Sequence, residues 1–212
     1  MEFIPSDIDQ YCVEHTTPEN DLLSKLNRET HAKVLQSRML SGHLQGRFLS
    51  LLSHMIQPKL ILEIGTYTGY SALCLAEGLT ENGKIITIDV NEELEDFVRD
   101  FFSQSALNDK IDFRIGNAMQ LIPIIADSFD MVFIDADKLN YSHYYDLVID
   151  KVRSGGIIIA DNVLWSGKVS NASAKDKDTI AIRDFNKKIQ DDTRVENILL
   201  PIRDGLMVVR KK

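Results

Sequence analysis

Polar side chains with the character of an active site follow two apolar runs of the sequence. Asp135 and Lys138 come after the first run, and Asp161 and Asn162 come after the second. If the two runs are neighbouring strands of one sheet, the carboxylate and amide oxygens converge, and hard divalent cations favour such ligands. A lysine beside them can move a proton. The pattern therefore predicts a catalytic, oxygen-lined cluster.

A second candidate site is a glycine turn after an earlier apolar run. Gly65 and Gly69 form a Gly-x-x-x-Gly pattern, preceded by Glu63. Glycines at such a turn let a ligand approach the backbone closely, but the Gly-x-Gly-x-x-Gly dinucleotide fingerprint is absent. A carboxylate at Glu63 suits a cationic ligand. The alternative is a plain tight turn in which Glu63 is a structural hydrogen-bond acceptor.

Asp89 ends the next apolar run, 24 residues after Gly65. An acid at this place can accept hydrogen bonds from both hydroxyls of a ribose, although it can also simply cap the following helix. With the glycine turn, it indicates an adenosine-containing ligand. The segment Asn117-Ala118-Met119, after the third predicted strand, lies where an adenine could be held by backbone and apolar contacts. The alternative for Met119 is a place in the core.

These candidates must be positioned by a regular alternation of elements. Residues 1–56 have a helical pattern only, whereas from residue 57 onward apolar runs alternate with glycine-rich turns and helices. Continuous apolar runs are typical of parallel strands covered on both faces. The predicted fold is α/β, a doubly wound, mostly parallel, Rossmann-like sheet of seven strands with a helical N-terminal extension and an antiparallel C-terminal hairpin. The predicted strands are 60–64, 84–89, 111–115, 131–134 and 156–160, with a hairpin from 197–202 to 206–209 closing on Asp204-Gly205.

Bulk properties exclude several classes of protein. With 212 residues and no repeat or linker, the chain is predicted to be one domain. The net charge of -8 argues against nucleic-acid binding, and no apolar run is long enough to span a membrane. Cys12 and Cys74 form no disulfide framework, and the start of the sequence does not have the pattern of a signal peptide. We expect a cytoplasmic protein, with Cys74 a small buried side chain.

The motifs together resemble the cation-dependent, class I S-adenosylmethionine-dependent O-methyltransferases of the caffeoyl-coenzyme A and catechol type. The resemblance runs through segments between residues 39 and 167. It implies S-adenosylmethionine and a divalent cation, Mg²⁺ or alternatively Ca²⁺ or Mn²⁺, as cofactors. The residues that it assigns to the S-adenosylmethionine site are Met39, Ser41, Glu63, Gly65, Thr66, Ser71, Asp89, Ala118, Asp135 and Asp137. It assigns the cation to Asp135, Asp161 and Asn162, and catalysis to Lys138 as general base together with Asp135.

Chemistry based on the residues alone is compatible with these roles. Two carboxylates and one amide oxygen leave about half of an octahedral shell open, which the two oxygens of a vicinal diol can fill. The alternative is that Asp135 and Asp161 cap loops while Lys138 is a solvated charge. The side chains that could form the wall of an aromatic acceptor pocket are Tyr67, Tyr70, Tyr141, Tyr144 and Trp165. Trp165, between Asn162 and Gly167, is the best candidate, and both Trp165 and Lys138 are predicted to contact the acceptor. Residues 166–178 form a polar loop suited to cover the site.

The expected function is transfer of a methyl group to a hydroxyl of a phenolic vicinal diol, and the protein is expected to be a homodimer through its helical N-terminus. Plant caffeoyl-coenzyme A enzymes carry an N-terminal lysine without a counterpart here, and an Asn at the position of Ser166. A free catechol, a caffeate-like acid or a flavonoid diol is therefore as good an expectation as a coenzyme A ester. The rivals are a nicotinamide-dependent oxidoreductase and a non-catalytic S-adenosylmethionine-binding protein.

Overall fold

The structure is a computed structural model, and it describes residues 4–212. The α-helices of this part of the chain are α1 (Ser6–Glu14), α2 (Asp21–Lys33), α3 (Gly42–Ile56), α4 (Tyr70–Ala76), α5 (Glu95–Ser103), α6 (Ala118–Ile124), α7 (Tyr141–Ile149) and α8 (Lys177–Asp191). The strands are β1 (Leu60–Ile64), β2 (Lys84–Asp89), β3 (Ile111–Ile115), β4 (Phe129–Ile134), β5 (Val152–Ala160), β6 (Val195–Leu200) and β7 (Leu206–Lys211). Short 3-10 helices precede several of the α-helices.

The chain divides into two compact units, residues 5–117 and residues 118–212. In the first unit, β1 pairs parallel with β2, and β2 pairs parallel with β3. In the second unit, β4 pairs parallel with β5, while β7 runs antiparallel to both β5 and β6. The strand order is β3-β2-β1-β4-β5-β7-β6. The predicted doubly wound, mostly parallel sheet of seven strands with an antiparallel terminal hairpin is thus confirmed.

Strand boundaries match the sequence expectation where apolar runs are uninterrupted. β1, β2 and β3 have the predicted limits. β4 and β5 begin earlier than predicted, at Phe129 and Val152, because the strand pairing continues across a register shift between Phe129 and Met131. Gly155 has a φ of +75°, so a glycine that looks like a turn in the sequence accommodates an irregularity inside a strand.

The helical lead-in is attached to α4 by a polar cluster as well as by apolar packing. The guanidinium of Arg47 pairs with Glu77, with Nη1–Oε2 and Nη2–Oε1 distances both 3.0 Å, and Ser50 donates to the same carboxylate. Cys74 is fully buried, as predicted, and burial raises the pKa of its thiol to about 12. Arg47 therefore has a structural role, because it joins α3 to the end of α4.

None of the helices described between residues 4 and 212 is long and apolar enough to cross a membrane.

We expect Gly69→Ala to be among the most destabilising single-methyl additions in the first unit. Gly69 has a φ of +88°, and an added Cβ would lie 2.6 Å from Cε1 of the buried Phe102 ring. Strain and overpacking together should lower the free energy of unfolding by about 2–4 kcal/mol, measured by urea denaturation.

Gly155→Ala is the matched control. Gly155 also has a positive φ, but the nearest atom to its added Cβ is the flexible end of Arg153, at 3.3 Å. The free energy of unfolding of this variant should fall by about 1 kcal/mol, from backbone strain alone. Equal losses in the two variants would contradict the packing argument.

Candidate active site

The glycine turn of the first unit joins β1 to α4 in a fixed conformation. Gly65 and Gly69 have φ values of +103° and +88°, and Tyr67 between them has +49°. The N–H of Gly65 donates to Ile88 O at 2.8 Å, and that of Gly69 to Thr66 O at 2.8 Å. Positive φ is sterically free for glycine alone, which explains why the turn carries glycine at both ends.

Glu63 lies at the end of β1, fully buried, within a chain of hydroxyl groups. Thr87 pairs with Glu63 in the register of β1 and β2, and its hydroxyl donates to the Glu63 carboxylate. The hydroxyl of Thr66 in turn bonds to that of Thr87 at 2.5 Å. A buried carboxylate needs such donors, because desolvating an unpaired charge is costly. Thr87 was missed in the sequence, where its signal was one polar residue in the apolar run of β2.

Asp89 fixes the glycine turn from the end of β2. Its Oδ2 accepts from the N–H of Tyr67 at 2.7 Å, and its Oδ1 accepts from that of Asn91 at 2.9 Å. The cap of the following 3-10 helix is Asn91, whose side chain accepts from Glu93 N at 3.0 Å. Asp89 is therefore not the cap of the following helix. Its carboxylate instead links the end of β2 to the glycine turn.

The remaining cofactor candidates of the first unit lie in α4 and in the segment that leads into α3. Ser71 is buried in the first turn of α4, and Ser41 is buried directly before α3. Met39 ends a 3-10 helix and is half exposed. The hydroxyl of Tyr67 donates to Leu35 O at 3.2 Å, which joins the glycine turn to the segment before Met39.

The two predicted strand-end carboxylates of the second unit are neighbours. Ile134 pairs with Ala160 in parallel register, so Asp135 and Asp161 each follow the last paired residue of adjacent strands. The N–H of Asp161 continues the pairing by donating to Ile134 O at 3.0 Å. Adjacent parallel strands lie about 4.8 Å apart, so this edge of the sheet brings the two side chains into one region.

Lys138 belongs to the same cluster and is held by two partners. Its Nζ lies 3.2 Å from Asp135 Oδ1 and 2.6 Å from the hydroxyl of Tyr141. Tyr141 is fully buried and donates to the main-chain oxygen of Asp161 at 2.9 Å. Its pKa is raised well above 10 by burial and then by the charges of Asp135 and Asp161. Tyr141 therefore stays a protonated donor to Asp161 and an acceptor for Lys138.

Asn162 and Asp137 follow the two strand-end carboxylates closely in the sequence. The Oδ1 of Asp161 accepts from the N–H of Asn162 at 2.6 Å, and Asn162 has a left-handed φ of +58°. Asp137 is exposed and has its own partners, because Tyr144 and Asn140 both donate to its carboxylate at 2.6 Å. Asp135 and Asp137, although two residues apart, thus have different surroundings. Ala118, the remaining candidate of the second unit, is buried at the start of α6.

Trp165 follows the cluster on a segment with unusual backbone geometry. Trp165 and Ser166 have φ values of +48° and +52°, and the ring centroid of Trp165 lies 5.9 Å from Lys138 Nζ. The turn of the terminal hairpin supports this segment. The carbonyl and carboxylate of Asp204 accept from the N–H groups of Leu164 at 2.9 Å and of Ser166 at 2.5 Å.

The hairpin turn approaches this segment closely. Gly205 O accepts from Val163 N at 3.1 Å, and a Cβ on Gly205 would lie 2.5 Å from the Leu164 side chain. The contribution of this turn to the site was not foreseen, because Asp-Gly was interpreted only as the closure of a hairpin.

The strand-end cluster carries oxygen donors, and the cation site expected there stays a prediction from the sequence. Among residues 4–212 no group of three or more His, Cys, Asp and Glu side chains is arranged to hold a metal ion. The cation ligands predicted from the sequence are two carboxylates and one amide, so they do not form a group of that kind. Asp161 is buried and Asp135 partly buried, and these oxygens are the type that Mg²⁺, Ca²⁺ and Mn²⁺ prefer.

Comparison with known proteins gives a consistent result over nearly the whole chain. The family model described as O-methyltransferase matches residues 13–212. Caffeoyl-CoA O-methyltransferase 1 of Arabidopsis thaliana is 37% identical over 219 residues, covering 97% of this chain and 84% of the relative.

Solved structures agree with the sequence matches. An O-methyltransferase from Bacillus cereus in complex with SAH is 31% identical with a TM-score of 0.90, covering 97% of both chains. The O-methyltransferase TomG from Streptomyces achromogenes, in complex with SAM, is 25% identical with a TM-score of 0.87, covering 97% of this chain and 96% of TomG.

Proposed function

The chain belongs to the O-methyltransferase family, and from this premise we propose that it methylates one hydroxyl of a phenolic vicinal diol. It is an S-adenosylmethionine-dependent O-methyltransferase, as the family match and the SAM- and SAH-bound neighbours show. The acceptor class and the requirement for a divalent cation are the proposal. The observation that carries it is the cluster in which Asp135, Lys138, Tyr141 and Asp161 are linked at two adjacent strand ends.

The first unit supplies most of the residues proposed for S-adenosylmethionine. The glycine turn leaves space for close approach to its backbone, and the buried Glu63 carboxylate favours a cationic ligand. Asp89 accepts one N–H bond on each carboxylate oxygen and retains lone pairs for ribose hydroxyls. Ser71 and Thr66 add hydroxyl groups, and we assign Met39, Ser41, Ala118, Asp135 and Asp137 the same ligand. When bound, the cofactor supplies an electrophilic methyl group on a sulfonium.

A divalent cation fits the second unit. Asp135, Asp161 and Asn162 would hold it, as Mg²⁺ first and Ca²⁺ or Mn²⁺ as alternatives. When bound, the cation supplies positive charge that favours ionisation of a phenol, whose ordinary pKa is about 10.

Lys138 is the residue that we propose to accept the phenolic proton. It is only 10% exposed, and Asp135 and the Tyr141 hydroxyl fix its amine on the cluster. A fixed amine at hydrogen-bond distance from the acceptor is what general-base catalysis requires. Trp165 lies near the same amine, so an acceptor bound at Lys138 could also contact the indole ring and be oriented by both residues.

The acceptor class follows from the cluster more than from the relatives' names. Several relatives are named for caffeoyl-CoA, which contains a vicinal diol and a coenzyme A thioester. The oxygen cluster selects for the diol and carries no feature directed at the thioester. Ser166 is at the position expected for a substrate-contacting Asn, and its backbone N–H donates to the carboxylate of Asp204. We therefore propose a small diol such as catechol, caffeate or a flavonoid as the acceptor.

We expect methyl transfer from S-adenosylmethionine to vicinal diols in a panel of catechol, caffeate, a catechol flavonoid and caffeoyl-CoA. Matched monophenols should react at least about a hundredfold more slowly, since they offer one oxygen where two are required. EDTA should abolish turnover, and added Mg²⁺ should restore it. Methylated products are measured by mass spectrometry.

Two results would contradict the proposal. Turnover that survives EDTA would contradict the requirement for a divalent cation. Equal rates on diols and monophenols would contradict the proposed acceptor class. Binding of S-adenosylhomocysteine without transfer to any acceptor would favour a non-catalytic binding protein. Homodimer formation through the helical N-terminus and a cytoplasmic location stay predictions from the sequence.

A further inference from the structure

The guanidinium of Arg183, on α8, donates hydrogen bonds to the backbone of one segment. Its Nε donates to Val169 O at 2.9 Å, its Nη1 to Ala174 O at 2.8 Å, and its Nη2 to Lys168 O at 2.8 Å and to Asn171 O. Four of the five N–H donors of the side chain are thus engaged by carbonyls of residues 165–174, which we call the clamped loop.

The helix that carries Arg183 is rigidly placed. Ile182, Phe185 and Ile189 of α8 are fully buried, and the ring of Phe185 packs edge-on against Tyr141 at a centroid distance of 5.4 Å. Three residues after Arg183, Asn186 donates to Val163 O at 2.9 Å. α8 therefore holds the backbone directly after the cluster residues as well as the clamped loop itself.

The clamped loop begins at the residue that faces Lys138. Trp165 and Ser166 have left-handed backbone conformations, which persist only where surrounding contacts maintain them. The Nε1 of Trp165 is buried and has no hydrogen-bond partner within residues 4–212. A buried N–H without an acceptor is rare in folded proteins and suits an oxygen of a bound molecule.

We infer that Arg183 is a positioning residue for the acceptor of the methyl group. By binding four carbonyls it keeps the clamped loop in one conformation, and with it the place of the Trp165 ring and N–H beside Lys138. Lysine cannot replace it, because a single ammonium cannot span carbonyls from Lys168 to Ala174 as a planar guanidinium does. This inference rests on the proposed function for the identity of the acceptor.

The test compares the wild type with Arg183→Lys, and with Arg210→Lys as the matched control. Arg210 is exposed on β7 and pairs with Glu196, outside the clamped loop. Trp165 is the only tryptophan of the chain, so its fluorescence reports on the loop without any substrate. We measure Trp165 emission, amide hydrogen exchange of residues 165–174, kcat and KM for caffeate with Mg²⁺, and the Kd of S-adenosylhomocysteine.

In Arg183→Lys we expect red-shifted Trp165 emission and faster exchange confined to the clamped loop. The KM for caffeate should rise about tenfold, since several charge-assisted hydrogen bonds that order the loop are lost. The kcat and the Kd of S-adenosylhomocysteine should stay within about twofold of the wild type, because the change affects the acceptor side alone. Arg210→Lys should match the wild type in every measurement.

Three results would overturn the inference: unchanged loop exchange, faster exchange with an unchanged KM, or an equal loss of S-adenosylhomocysteine affinity, which would indicate general destabilisation. Failure of the proposed function is recognised separately, because then the wild type itself methylates no diol. That result would overturn the acceptor role of Arg183 together with the proposed function, whether or not exchange shows the loop to be clamped.

Discussion

Replacement of Lys138 by Gln is expected to lower kcat for diol methylation by roughly a hundredfold or more, the usual contribution of a positioned general base. Gln retains hydrogen-bonding capacity toward Asp135 and Tyr141 but cannot take up a proton from a phenol. The Kd of S-adenosylhomocysteine should not change, because Lys138 is not among the residues proposed for the cofactor. Steady-state kinetics and calorimetry measure the two quantities.

The control for this prediction is Lys187→Gln. Lys187 is 76% exposed on α8 and pairs with Asp191 four residues later, an arrangement that contributes little to stability. It should retain wild-type kinetics. If Lys138→Gln keeps a kcat close to that of the wild type, Lys138 is only a charge balancing Asp135, and the base must be sought elsewhere.

Replacement of Asp89 by Asn is expected to weaken S-adenosylhomocysteine binding by about a hundredfold, through loss of hydrogen bonds to a charged acceptor. The carboxylate accepts from Tyr67 N on one oxygen and from Asn91 N on the other. An Asn side chain has one oxygen only, so one of these N–H groups would face an amide NH₂. The hydrogen bonding of the turn and the proposed hydrogen bonds to the ribose should both be weakened. The kcat at saturating cofactor should fall much less.

Asp112→Asn is the comparison for Asp89. Asp112 lies on β3 and pairs with Arg114 at the surface, with 42% of its side chain exposed. Its substitution should leave the Kd of S-adenosylhomocysteine unchanged. Should Asp89→Asn lower the melting temperature yet bind S-adenosylhomocysteine with wild-type affinity, Asp89 would be a purely structural tie of the turn.

The part of the site that the sequence could predict is the part set by chain direction. Asp135 and Asp161 follow apolar runs, and parallel pairing of β4 with β5 necessarily brings the carboxyl ends of the runs to one edge. The glycine turn was equally accessible, because positive φ at Gly65 and Gly69 leaves few other residues possible.

The part that could not be predicted depends on contacts between elements distant in sequence. Thr87 and Arg183 have ordinary residue types for a strand and a helix surface, and only the folded chain shows that they bind Glu63 and the clamped loop. Tyr141 was a candidate for an aromatic pocket wall. The structure instead buries it beneath the cluster, where its hydroxyl connects Lys138 to Asp161.

The docking of the hairpin turn also has a consequence for synthesis on the ribosome. Ser166 and its partner Asp204 are 38 residues apart, so at about 5–20 residues per second the segment after β5 is made roughly 2–8 seconds before the turn that fixes it. During that interval the nascent chain holds Asp135, Lys138 and Asp161 but not the support of Leu164 and Ser166. Translation that stops before Asp204 thus leaves the proposed acceptor side without its support, although every predicted catalytic and metal-binding residue has already been made.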